Sequence, residues 1–173
     1  KVYYSPHSYN NRFGVPLSLS NLKSNIDYGI FEIGMDKKGE IENLSKMVKP
    51  EVAVITNIAG AHFKNFNTLK DIAKAKAEII KNISKSGNIV LNQDDKFFDF
   101  LSNEAKKNGV SVTSFGLKKK SDIFLSSIKK NKNLFRLKIN VKNKIFYFNT
   151  KYSTNNFINN ILANIAIMSV LNL

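Results

Sequence analysis

Apolar and polar residues alternate in blocks that predict strand, helix, strand, helix over residues 1–115. The strongest block begins with an apolar run at residues 52–58, which predicts a buried strand. A short loop holding His62 follows, and then a helix over residues 68–83. In that helix Leu69, Ile72, Ala73, Ile79, Ile80 and Ile83 recur at the three- and four-residue spacings of one helical face. Lys76 falls on the same stripe, one turn from Ile72 and from Ile80, whereas Lys70, Lys74, Lys81 and Lys85 sit mostly off it. The pattern therefore points Lys76 inward. A buried ammonium is costly unless it is paired, deprotonated or chemically changed.

The flanking blocks extend the alternation. Val2-Tyr3-Tyr4 predicts a short strand, residues 5–11 a polar loop, and Gly14 with Pro16 a turn. Residues 28–34 predict a second strand, apolar on both faces except for Glu32, as suits a parallel sheet covered on both sides. Residues 36–39 turn the chain into a helix over 40–48 that stops before Pro50. Further strands are expected at 89–91 and 110–115, with a helix at 96–107 between them that ends at Gly109. From Lys118 the character changes. Residues 123–128, 134–141 and 145–148 predict antiparallel strands, the last two joined by Lys142-Asn143-Lys144. A closing helix begins near Thr154. The expected fold class is α/β: a doubly wound, mostly parallel sheet with helices on both faces, plus a small antiparallel β segment.

Composition narrows the chemistry. With 173 residues and 43% hydrophobic content the chain is one domain-sized unit with a real core. The absence of cysteine excludes disulfides, thiolate metal sites and a cysteine nucleophile. No apolar run approaches a membrane span, because asparagines at 159, 160, 164 and 172 break the most apolar segment. The net charge of +14 raises the question of nucleic acid. The lysines are scattered, however, and Arg12 and Arg136 are the two arginines, where a reader of bases or phosphates favours the planar guanidinium. No nucleic-acid partner is expected; a basic surface would help attract phosphate-bearing substrates.

Three residues invite a chemical reading. Glu32 lies near the carboxyl end of one expected strand, His62 just past the carboxyl end of the next, and Lys76 on the helix after it. Ligands bind at that edge of open α/β sheets. Two interpretations stand on the residues alone. Either Glu32 and Lys76 form a buried ion pair and His62 is an ordinary loop histidine, or an oxygen ligand, an imidazole and a lysine converge on a site. The glycine spacing of Gly34-Met35-Asp36-Lys37-Lys38-Gly39 imitates a phosphate loop, but Glu40-Ile41 follows where such a loop needs Lys-Ser or Lys-Thr. That stretch is rejected as a nucleotide loop.

Four blocks together resemble the Mur ligase family, the ATP-dependent amide ligases that build the peptidoglycan stem peptide. They are Asn10-Asn11-Arg12-Phe13-Gly14-Val15-Pro16-Leu17; Phe31-Glu32-Ile33-Gly34 with Gly39-Glu40-Ile41; Ile55-Thr56-Asn57-Ile58-Ala59-Gly60-Ala61-His62 with Ile72-Ala73-Lys74-Ala75-Lys76-Ala77-Glu78-Ile79; and Val90-Leu91-Asn92-Gln93-Asp94-Asp95. The Glu-Ile-Gly and Gly-Glu-Ile pairing resembles the branch that joins D-alanyl-D-alanine to UDP-MurNAc-tripeptide. The resemblance implies ATP and Mg2+ as cofactors, transfer through an acyl phosphate, and a carbamate formed from carbon dioxide on Lys76. It also implies Glu32, His62 and the Lys76 carbamate as metal ligands, with Asn10, Asn11 and Asn57 near substrate and Asp94 a further candidate for contact with substrate or metal-bound water. Near the end, Asn156-Phe157-Ile158-Asn159-Asn160-Ile161-Leu162-Ala163 resembles the block beside the adenine. Asn160 matches its asparagine, while Asn156 stands where the family has histidine and Thr154 where it has glycine.

By the same resemblance, the phosphate loop and an N-terminal UDP-binding domain belong upstream of Lys1, and a C-terminal domain beyond Leu173. The expectation is a partial central domain, inactive by itself, from a bacterial cytoplasmic enzyme. Two other ligase types of the superfamily, folylpolyglutamate synthase and cyanophycin synthetase, form one alternative. A catalytically dead Mur-like binding module is another.

Overall fold

The computed structural model of the chain describes residues 1–59 and 65–173, which form two compact units. One comprises Lys1–Pro50 and Ala59–Ser84; the other comprises Glu51–Ile58 and Lys85–Leu173.

In the first unit, β1 (Val2–Tyr4) pairs in parallel with β2 (Tyr28–Ile30), Val2 opposite Tyr28 and Tyr4 opposite Ile30. The second strand is shorter than the expected 28–34. The ladder ends where the Ser5 N–H donates to the Ile30 carbonyl, because His7, whose N–H would come next, turns away at φ 56°. Between the strands the expected turn at Gly14 and Pro16 is instead a helix, α1 (Gly14–Ser20). The Asn11 side-chain oxygen accepts from the Phe13 and Gly14 N–H groups and starts it. Pro16 lies in the first turn, where a missing donor costs nothing. Gly14 is required there: a Cβ would lie 2.6 Å from the Tyr9 backbone.

The helix α2 (Glu40–Val48) runs as expected between two left-handed residues, Gly39 and Lys49. The Thr68 side chain and Asp71 cap each other's backbone at the start of α3 (Leu69–Ala77). The expected helix over 68–83 does not continue as α. It tightens into a 3-10 turn, Glu78–Asn82, that carries Glu78 into the interior. The Glu78 carboxylate accepts from the Gly39 N–H at 2.8 and 3.0 Å and from the Glu42 N–H at 3.2 Å. These are donors that the first turn of α2 cannot satisfy within the helix. The Asn82 amide bonds the Glu42 carbonyl and the Ser45 hydroxyl beside them.

The second unit is a six-stranded sheet in sequence order: β3 (Val52–Ile55), β4 (Asn88–Asn92), β5 (Ser111–Gly116), β6 (Ile123–Asn131), β7 (Leu134–Val141) and β8 (Lys144–Thr150). The pairs from β3 to β6 are parallel and those from β6 to β8 antiparallel. The antiparallel strands thus extend the parallel sheet. The join is only two residue pairs long, Phe115 with Ile123 and Gly116 with Phe124. Asp122 secures it by accepting from both the Ser114 N–H and the Ser114 hydroxyl. The helix α4 (Phe98–Lys107) connects β4 to β5, and α5 (Asn155–Val170) closes the chain with Thr154 as its cap. Ile158, Leu162, Ala163 and Ala166 of α5 pack on Val90, Phe115, Ile123, Leu137 and Ile139. Ile89 and Leu91 are equally buried on the opposite face of β4, so the apolar central strand has cover on both sides, as its composition predicts.

Replacing Glu78 with alanine removes one buried acceptor and strands two backbone donors. The expected loss is about 2–3 kcal/mol of stability, read as a lower urea midpoint, whereas Glu78→Gln retains one acceptor and loses less.

Candidate functional site

Asn10, Glu32 and Gly34 form a cluster just past the end of β2. Asn10 is the hinge of that cluster: its carbonyl accepts from the Gly34 N–H at 2.7 Å, and its amide donates to Glu32 Oε1 at 2.8 Å. Gly34 permits the approach, since a Cβ there would lie 3.0 Å from the Asn10 side chain. Glu32 therefore differs from the sequence expectation. It lies beyond the strand rather than inside it, and it is exposed rather than buried. A buried ion pair with Lys76 is excluded by that exposure. Asn10 steadies one oxygen of this solvent-facing carboxylate, and the other is a hard donor of the kind magnesium takes.

Asn11 serves the backbone, heading α1 through its side-chain oxygen. Lys76, expected to be buried, is half-buried, while its neighbours Ile72 and Ala73 are fully buried. The buried ionisable side chain of this segment is Glu78. The sequence pattern missed it because the change from α to 3-10 geometry alters which side chain turns inward. His62 lies outside the described residues. Among the described residues, no three His, Cys, Asp or Glu side chains come together as a metal site. An ion there would take Glu32 with donors from outside this set.

The rejected glycine stretch is now explained by geometry. Glu40 folds back to accept from the Asp36 N–H at 2.6 Å and the Lys37 N–H at 2.9 Å, and Glu78 takes Gly39 and Glu42. The donors that would cradle a phosphate are already held by carboxylates. The Asp36 and Lys37 backbone donors, in that order, hold Glu40 below the usual glutamate range.

In the second unit, the Asn92-Gln93-Asp94-Asp95 block fastens the loops at the carboxyl ends of the strands. Asn92 donates to the Thr56 carbonyl, Asp95 accepts from the Ile58 N–H at 2.7 Å, and Asp94 accepts from the Leu117 N–H at 2.6 Å. These bonds shorten the expected strand at 52–58 to four residues and hold residues 56–58 as a defined loop that presents Asn57 at the surface. Gly116 is needed beside it, since a Cβ would meet Asp94 at 2.8 Å. Asn156 and Asn160 occupy successive turns at the start of α5, both exposed. The Asn160 backbone carbonyl accepts from the Asn164 side-chain amide one turn on.

Comparison with known proteins covers nearly the whole chain. The model of the Mur ligase middle domain matches residues 1–168. The UDP-N-acetylmuramoyl-tripeptide–D-alanyl-D-alanine ligase of Rickettsia prowazekii is 30% identical over 171 residues, 98% of this chain and 38% of that protein. The crystal structure of MurF from Acinetobacter baumannii superposes with a TM-score of 0.91 at 27% identity, over 99% of this chain and 37% of that one. The structure of MurF from Thermotoga maritima in complex with ADP gives 0.87 at 26% identity, over 99% of this chain and 39% of its own. The chain thus spans well under half the length of these relatives.

Because the native pKa of Glu40 is depressed, its contribution to stability is present above about pH 4.5 and is lost as pH falls through the lower native value. Glu40→Gln is expected to lower the urea midpoint at pH 7 and to converge on the wild type as pH falls through the lowered native value. Parallel midpoints across that range would contradict the assignment.

Proposed function

The chain belongs to the Mur ligase family through its middle domain, and from that premise we propose that it is the central part of an ATP-dependent ligase. The reaction we infer joins D-alanyl-D-alanine to UDP-MurNAc-tripeptide in the bacterial cytoplasm. The observation that carries this reading is the Asn10–Glu32 bond together with the Gly34–Asn10 bond. These tie the first two family-like blocks into one structure and leave a carboxylate facing solvent. Support for the acceptor comes from the curated relative of Rickettsia prowazekii, which carries that ligase name. Support for the nucleotide comes from the Thermotoga maritima MurF structure, which was solved with ADP.

ATP, with magnesium neutralising its phosphates, would supply a phosphoryl group to the tripeptide carboxylate with release of ADP. The amine of D-alanyl-D-alanine would then attack the acyl carbon, forming the amide and releasing phosphate. The chain's own residues would bind and orient. Glu32, an exposed oxygen donor, fits a hard cation, and Asn10 fixes its direction. Lys76 would carry a carbamate that adds a second anionic oxygen ligand, and His62 would add a neutral imidazole nitrogen. Asn57 would meet substrate from the loop that Asp95 and Asn92 secure. Asn160 and Asn156 would lie along the nucleotide. Asn11 would act through α1 rather than by contact, and Asp94 through the β5–β6 join. The phosphate loop, the UDP-binding domain and the closing C-terminal domain would be supplied by the rest of a longer protein, so this chain alone would not turn over.

The test is phosphate release from ATP and UDP-MurNAc-tripeptide by the full-length parent, with D-alanyl-D-alanine offered against single amino acids. Dipeptide-dependent turnover is expected. Lys76→Ala should lower it by at least about a hundredfold, as removal of a charge-stabilising group does, and Glu32→Gln should raise the magnesium requirement. Added short carboxylates should partly restore Lys76→Ala if the missing group is a carbamate. Glutamate or single amino acids as preferred acceptors would assign the chain to another branch, and a Lys76→Ala enzyme of normal rate would remove that lysine from the mechanism.

A further inference from the structure

The last 51 residues, 123–173, carry eight lysine and arginine side chains and no aspartate or glutamate. The antiparallel strands turn this imbalance into a surface. Leu137 and Ile139 of β7 face the α5 core, so Arg136 and Lys138 face away from it by strand alternation. Regular pairing beyond Leu125 and Ile139 would place Ser127 opposite Leu137. A bulge between Leu125 and Ser127 shifts the register by one, setting Ser127 opposite Lys138 and Lys129 opposite Arg136. Tyr147 of β8 lies opposite Lys138. These five side chains line a hollow of about 280 Å³.

We propose that this hollow binds a soluble diphosphate-bearing anion. Like charges set directly opposite on neighbouring strands repel, and the bulge is what sets Lys129 against Arg136. An anion seated between them reverses the sign of that interaction. The Arg136 guanidinium stacks 4.3 Å from the centre of the Tyr147 ring. The stack fixes the plane of the fork and leaves its in-plane N–H groups as donors. A fork of that kind matches two oxygens of one phosphoryl group, while Lys129 and Lys138 act as point charges and Ser127 offers a hydroxyl. Three cations and a hydroxyl suit a multiply charged oxyanion. A single carboxylate would leave two of the cations unneutralised. The inference stands apart from the ligase assignment and uses none of its residues.

Calorimetric titration of the chain with inorganic pyrophosphate is the test. The wild type is expected to bind, more weakly as salt is raised. Lys129→Ala combined with Lys138→Ala should weaken binding at least about tenfold. Lys130→Ala combined with Lys132→Ala removes the same charge from the same hairpin but off this face, and should stay within about twofold. Arg136→Lys keeps the charge and loses the fork and the stack, so an intermediate loss is expected in a protein whose circular dichroism is unchanged. Equal weakening in the two double variants would reduce the effect to net charge and overturn the site. So would the absence of pyrophosphate binding by the wild type at millimolar concentration. Sedimentation with phosphatidylglycerol vesicles that depends on Lys129 and Lys138 while pyrophosphate fails to bind would overturn it in favour of a membrane surface.

Discussion

The structure depends on side-chain carboxylates that accept backbone N–H groups where strands and helices end. A buried or half-buried backbone donor without an acceptor costs as much as a lost hydrogen bond. Among the described residues, Glu40, Asp71, Glu78, Asp94, Asp95 and Asp122 all serve in this way. In one unit they close the start of α2 and the start of α3. In the other they hold the loop after β3 and the short join between β5 and β6. At each of these places a carboxylate takes the backbone donors that the turn leaves over.

That use of carboxylates has an electrostatic consequence. The chain has 13 acidic residues against 27 lysines and arginines, and many of the acids are committed to backbone donors rather than to cations. The surface ion pairs that do form, such as Lys81 with Glu42 and Lys107 with Glu104, are exposed and add little. The cations of the antiparallel strands have no acid nearby in sequence. Lys129, Arg136 and Lys138, separated in sequence, are gathered on one face by the sheet, and the bulge in β6 completes the gathering.

The same economy of donors and acceptors shapes the ligase-like site. A carboxylate that belongs to the backbone is unavailable for a metal or a phosphate, which is why the glycine stretch ahead of α2 is no anion cradle. Glu32 is different. The β1–β2 ladder stops before it, and Asn10 takes only one of its oxygens. Its exposure follows from the turn of the chain at His7 and from the end of β2 one residue before Phe31, not from any property of Glu32 itself.

The sequence by itself determined the order and type of nearly every element, because apolar periodicity reports which face each segment buries. It located α2 to the residue and placed the antiparallel hairpin strands, and its four blocks carried the family resemblance that the comparisons then bore out. It also identified Thr154 as the start of α5, since a cap is a local interaction. Tertiary structure decided what local pattern cannot encode. The end of β2 was set by its partner strand, α1 by the Asn11 side chain overriding the turn signal of Gly14 and Pro16, and the burial of Glu78 rather than Lys76 by the tightening of a helix against α2. The cationic hollow was decided the same way, because strand register brings together residues that lie up to 20 positions apart in the chain. Except at α1, which the neighbouring Asn11 heads, these outcomes depend on partners distant in sequence, and periodicity carries no information about such partners.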